Sequence, residues 1–149
     1  NTYDINRVAM GHSGKGKAVP HFLWSGMEPA GTWRSTTKDM MIFLKAHLGY
    51  SGEFWESLLA RTTSPVFNDS RREHPGLACQ LSHNKEFGDF AWHNGQTFGQ
   101  KAMAVCAKAS GSAIVILSNK TPKIWQHFFT SYSIEKLSYE ILESLGKSK

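Results

Sequence analysis

The sequence predicts an α+β fold, an antiparallel sheet packed by helices. Three observations carry this. Two stretches in the first half place apolar residues at helical spacing, Met40 to Leu48 and Glu53 to Ala60. A series of short apolar runs, divided by Gly-containing turns, follows between Leu77 and Leu117. A long apolar-faced segment after Pro122 then closes the chain. Strands gathered in one block, with helices before and after, form an α+β layout rather than an alternating one.

Asn1 to Pro20 reads as loop. Gly11-His12-Ser13-Gly14-Lys15-Gly16-Lys17 nearly spells a phosphate-binding loop, but Ala18 stands where the magnesium-ligating hydroxyl belongs. Val19-Pro20 also occupies the place where a helix should begin, so no helix N-terminus faces a phosphate. A flexible Gly/Lys turn between two short extended pieces is expected. Phe22-Leu23-Trp24 and Met27 form an apolar patch before Pro29-Ala30-Gly31.

In the first helix Met40, Met41, Phe43, Leu44 and Leu48 share a face, and Gly49 stops it. Ser35 or Thr36 is the expected N-cap, and Thr36 with Asp39 fits the capping box. A second helix over Glu53 to Ala60 is expected to turn Phe54, Trp55, Leu58 and Leu59 inward and to end at Ser64-Pro65. Val66 to Pro75 reads as surface loop. Leu77 to Leu81 and Phe90 to Trp92 read as a hairpin turning through Asn84 to Asp89. Gln100 to Lys108 is the third strand, and Ala113 to Leu117 has the unbroken apolar run of a buried central strand. Pro122 opens the last helix, with Ile124, Trp125, Phe128, Phe129, Tyr132, Leu137, Ile141, Leu142 and Leu145 as its apolar face.

Composition excludes several classes. The 149 residues carry 40% hydrophobic and 19% charged side chains, which suits one globular domain. No apolar run approaches the roughly 20 residues of a membrane helix, and no signal peptide is visible. The chain opens on Asn1-Thr2-Tyr3-Asp4 without Met, as expected of a processed or excised piece. Its net charge of +5 comes from scattered lysines and arginines, with close neighbours such as Arg71-Arg72 and Lys147/Lys149 but no large cluster, so nucleic acid is not the expected partner. Cys79 and Cys106 are too few for a disulfide framework, and spacing leaves a bridge or two free thiols open.

The strongest chemical candidate is Trp92-His93-Asn94-Gly95-Gln96-Thr97-Phe98-Gly99, a polar, glycine-containing stretch between two strands. Acyl transfer needs a nucleophile, a proton carrier and N–H donors for the oxyanion. His93 can carry a proton or positive charge, Asn94 can donate and accept, and Gly95 lets a substrate approach. The backbone N–H of Gln96 is placed to meet a developing oxyanion. His93 as an ordinary strand histidine bonded to a carbonyl is the competing reading. Ser35-Thr36-Thr37-Lys38 spells S-x-x-K, the serine acyl-transfer pattern. That pattern recurs at Ser82 to Lys85 and Ser133 to Lys136, and helix capping explains Ser35 without chemistry. The seven histidines are dispersed without H-x-x-x-H spacing, so no metal and no cofactor is expected.

Several segments together resemble a known family. Pro29 to Met40 (P-A-G-T-W-R-S-T-T-K-D-M) is similar to the A-G-G-L-R-S-T-x-x-D-M segment of class C β-lactamases and their penicillin-binding and esterase relatives. Trp92 to Gly99 resembles their third motif, K-T-G or H-x-G. Ala113 to Asn119 is similar to the strand that follows, and Arg7 to His12 to the loop ahead of the A-G-G segment. The resemblance implies a partial β-lactamase/transpeptidase-like fold, with residues 1–65 as the remnant of a helical region and 66–149 as strands and closing helix. It implies His93, Asn94 and Gln96 in catalytic positions, and Gly95, Thr97 and Asn119 against a small-molecule or peptide substrate (a β-lactam, D-peptide or ester). It also implies a periplasmic or extracytoplasmic location.

The departures are specific. The family's nucleophilic S-x-x-K and its Y-x-N lie upstream of the A-G-G segment, where this chain has only Asn1 to Pro29, and Tyr3 to Asn6 is Y-x-x-N. Phe98 stands where the family usually has glycine. The chain therefore resembles a C-terminal half that supplies one wall of a pocket and lacks the attacking group. One sheet edge and one apolar face are expected to need the missing half or self-association. A non-catalytic penicillin- or peptide-binding sensor, and a small hydrolase using Ser35 and Lys38, are the alternatives.

Overall fold

The computed structural model describes residues 4–21, 23, 25, 26, 28–67, 73–122 and 133–146. A 3-10 turn over Ile5–Arg7 leads into a ribbon of β1 (Gly11–His12) and β2 (Ala18–Val19). The near-phosphate-loop sequence is the turn of this ribbon, where the Ser13 and Lys17 N–H groups donate to the Lys17 carbonyl and the Ser13 hydroxyl, respectively. Gly16 supplies the positive φ of 80° that the turn requires.

Helix α1 is a short turn, Glu28–Gly31, and α2 spans Thr37–His47. Thr36, not Ser35, caps α2: its hydroxyl accepts from Asp39 N at 3.1 Å and donates to the Asp39 carboxylate at 2.9 Å. The other end is a Schellman cap. Gly49 sits at φ 92°, its N–H bonds Ala46 O, and Tyr50 N–H reaches back to Lys45 O. Helix α3 covers Glu53–Thr62, two residues beyond Ala60. Its predicted inward face is largely exposed, with Phe54 at 74%, Trp55 at 48% and Leu58 at 43%. Helical periodicity marks an apolar stripe but does not say what covers it.

The sheet is an antiparallel meander in the order β3-β4-β5-β6-β7, with β3 Glu73–Pro75, β4 Gln80–Asn84, β5 Gly88–Gln96, β6 Lys101–Ala107 and β7 Ser112–Ser118. Three expectations are corrected here. Part of the predicted 66–75 loop is β3. The strand read over Leu77 to Leu81 begins only at Gln80, because Gly76 N–H closes a turn onto Cys79 O at 2.8 Å. And β7, read as a central strand, is the last strand of the sheet among the described residues; its apolar run reflects helices on both faces.

Those helices are α2 and the C-terminal α4 (Ile134–Gly146), both packed on β6 and β7. Strand alternation sends Phe90, Met103, Val105, Ala107 and Ile114 to one face, where Leu142 of α4 completes the core with Phe87. Tyr139 of α4 meets Phe90 edge-on, ring centres 5.4 Å apart. The smaller Ala102, Ala104 and Cys106 take the other face, toward α2 and its buried Leu44. Of the α4 face read from sequence, Leu142 is buried while Leu137, Ile141 and Leu145 are partly exposed; Ile124, Trp125, Phe128, Phe129 and Tyr132 lie outside the described residues. The helix instead turns Ser138 inward, its hydroxyl satisfied by Glu135 O at 2.7 Å.

Candidate functional site

The polar stretch read as lying between strands is itself strand: β5 runs through His93, Asn94 and Gly95 to Gln96. Its register with β6 pairs His93 with Ala104, Asn94 with Met103 and Gln96 with Lys101. On the other side β4 stops at Gln80, opposite Trp92. Beyond that point β5 has no neighbouring strand on that side among the described residues.

Antiparallel pairing decides which backbone groups this leaves open. Thr97 N–H bonds Gln100 O at 2.9 Å, so odd positions of β5 direct their N–H and C=O groups at β6. The even positions direct theirs the other way, and Trp92 meets Gln80 of β4. Asn94 and Gln96 are the next two even positions, and their backbone donors and acceptors face the gap beyond β4. The Gln96 N–H predicted for an oxyanion thus lies at an edge that no described strand pairs.

Side chains follow the same alternation, and it separates His93 from Asn94. His93 and Gly95 share the α2 side of the sheet, Asn94 and Gln96 the α4 side. The His93 ring is exposed and has no hydrogen-bond partner among the described residues, so no carbonyl satisfies it as an ordinary strand histidine would be. A Cβ built on Gly95 would meet nothing within 4 Å. The space beside His93 is open, and no packing among the described residues explains the glycine.

Asn94 is engaged elsewhere. Its amide donates to Glu135 Oε1 of α4 at 2.9 Å, and the Lys101 ammonium of β6 donates to Glu135 Oε2 at 2.9 Å. Lys101 is 7% exposed and the Glu135 side chain 20%. Burial alone would push the Glu135 carboxyl up, but the hydrogen bonds from Lys101 and Asn94 outweigh it and hold the group at about 2. Sequence reading missed this cluster, since Lys101 and Glu135 stand far apart and match no motif.

The depressed carboxyl sets a pH dependence. Its stabilisation is fully present above the ordinary value of 4.5 and drains away as pH falls through about 2. Urea melts across that interval should show declining stability, and Glu135→Gln should flatten the decline.

The remaining predicted residues serve the end of the sheet. Thr97 closes the β5–β6 loop through its N–H, and its hydroxyl makes no hydrogen bond among the described residues. Asn119 holds the ribbon: its amide donates to Met10 O at 3.1 Å, and its carbonyl accepts from His12 N at 2.8 Å. Gly99 O accepts from His12 N at 3.0 Å, and Thr121 N–H donates to His12 O at 3.0 Å. Phe98 stays 67% exposed on that loop.

Other nucleophiles find little support. Ser35 lies outside α2 and donates to Thr36 O, and no contact joins it to Lys38 among the described residues. Both cysteines are free. Burial pushes the Cys106 thiol up to about 11, and burial also raises Cys79, so burial disfavours the thiolate at both. Among the described residues no helix is long and apolar enough to cross a membrane.

No protein-family model matches the sequence, and no curated protein does. Solved structures do. The chain is similar to a class C β-lactamase at 16% identity and TM-score 0.72, over 97% of this chain and 44% of that one. It is also similar to a tyrosine-to-phenylalanine mutant of a class C β-lactamase at 16% identity and TM-score 0.75, over 97% of this chain and 45% of that one. The fold is therefore that of part of a class C β-lactamase, consistent with a C-terminal portion. The chain spans less than half the length of these two structures.

Proposed function

We propose that this chain forms one wall of a β-lactamase-like serine hydrolase site acting through an acyl-serine intermediate. The observation that supports it most is the open β5 edge, where Gln96 N–H faces the gap and His93 stands beside the unfilled space at Gly95. The Gln96 N–H stabilises the oxyanion of a carbonyl under attack. His93 occupies the cationic position of the H-x-G motif, where it steers the substrate carboxylate or passes a proton. Gly95 admits the substrate, which is a β-lactam, D-peptide or ester. The attacking serine is assigned to a segment outside this chain, because Ser35 donates to Thr36 O and meets no lysine among the described residues.

The same reading gives the sheet a partner. The outer edge of β7 carries no strand along Ser112–Ser118 among the described residues, and Phe54, Trp55 and Leu58 of α3 are exposed. An apolar edge of this length invites pairing. The remaining portion of a β-lactamase-like domain supplies the pairing strand, or a second copy does.

Fluorescent penicillin tests the division of labour. The chain alone should take no covalent label, and an adduct on Ser35 would overturn the assignment of the nucleophile to another segment. Gly95→Ala adds a check on the wall itself. It should leave the melting temperature unchanged or higher, since its Cβ enters open space, while abolishing reversible β-lactam binding. Undiminished binding in that variant would contradict the site. Reversible binding that survives without any turnover once a nucleophilic segment is supplied would favour the sensor reading.

A further inference from the structure

We propose that Glu135 is a positioning residue for the open β5 edge, and that Asn94 acts through it instead of touching substrate. This rests on the reading of β5 as a substrate wall. The carboxylate of Glu135 receives Asn94 of β5 on one oxygen and Lys101 of β6 on the other, each at 2.9 Å. One side chain of α4 thereby fixes both strands of the hairpin at the place where β4 has ended. A strand end with pairing on one side alone frays and twists, so its N–H vectors wander.

The clamp acts where this matters. Asn94 lies between His93 and Gly95, and its backbone shares the open edge with Gln96. Holding the Asn94 side chain on the α4 side keeps the alternation in phase. His93 and Gly95 then face the open side, and Gln96 N–H stays in the sheet plane. Preorganised donors stabilise a developing charge without reorganising. Lys101 contributes by orienting the carboxylate from its buried position.

Asn94→Ala is the first variant, because it leaves the Lys101–Glu135 pair intact and the fold with it. Asn94→Thr is the rescue, since its hydroxyl can donate to the same carboxylate and its branched side chain suits a strand. Glu135→Gln, alone and with Asn94→Ala, completes a double-mutant cycle. The readouts are amide exchange at Gly95 and Thr97, global melting, and benzylpenicillin affinity from the Gln96 amide signal.

Exchange at Gly95 and Thr97 should rise about tenfold in Asn94→Ala while the Val105 and Ile114 amides keep their protection. Benzylpenicillin should bind about tenfold more weakly, with Asn94→Thr restoring most of the loss. The double variant should bind no worse than Glu135→Gln. Additive losses, or unchanged exchange in a wild-type chain that binds, would overturn the role given to Glu135. Should the wild-type chain bind no benzylpenicillin while the exchange pattern holds, the substrate reading fails and the clamp stands as a structural device only, which also overturns the proposal.

Discussion

Glu135→Ala should lower the stability of the chain by about 3 kcal/mol or more, the usual consequence of removing one partner from a buried ion pair. Lys101 keeps only 7% of its surface in water, so the variant would leave its ammonium buried without a counter-charge. The same substitution frees Asn94 and cuts the tie between α4 and two strands. Denaturant titration of the wild type and variant measures the loss. Replacing both ends, Lys101→Met with Glu135→Leu, should recover most of it, since well-packed apolar residues often equal a buried pair. Recovery of stability without recovery of benzylpenicillin binding would separate the two duties assigned to Glu135.

Gly99→Ala should be the second most damaging change, at about 1–3 kcal/mol. A Cβ there would lie 2.8 Å from both the Gly11 carbonyl carbon and the His12 nitrogen, and would run into the Val19 side chain. Backbone cannot yield as a flexible side chain can. The N-terminal ribbon must therefore lift from the β5–β6 loop, breaking the bonds from His12 N–H to Gly99 O and from Thr121 N–H to His12 O. Gln100 would also lose its 2.9 Å bond to Ala9 O. Chemical shifts of His12 and Thr121 should move in this variant, and those of Val105 and Ile114 should not.

What the sequence made legible was mostly local. The Thr36–Asp39 cap and the Gly49 stop depend on residues within one turn, and both ends of α2 fall within three residues of their predicted places. The turn at Ser13 to Lys17 was readable for the same reason, from glycine and the lack of a helix start. Coverage was not legible. Phe54, Trp55 and Leu58 make a sound amphipathic stripe, yet nothing within α3 says that its neighbours leave the stripe bare. The apolar run of β7 likewise reports two covering helices, and does not say that it is the last strand among the described residues.

The candidate site divides along the same line. His93, Gly95 and the Gln96 N–H were proposed from sequence because glycine and histidine beside a strand carry a local signal. Their separation from Asn94 follows from a period of two, once the stretch is taken as strand and not as loop. Lys101 and Glu135 belong to β6 and α4, and only the fold brings them together. Asn119 shows the converse. Its place after β7 follows the family resemblance, and the contact of its amide with Met10 O, which holds the ribbon, could not be read from that.

The most direct test is an amide-resolved titration of the wild-type chain with benzylpenicillin. Shifts confined to His93, Asn94, Gly95, Gln96 and Thr97, with the Gln96 N–H moving most, are the predicted result. Shifts centred on Ser35 and Lys38, or none in this stretch at saturating ligand, would contradict the assignment of β5 as the wall that receives substrate.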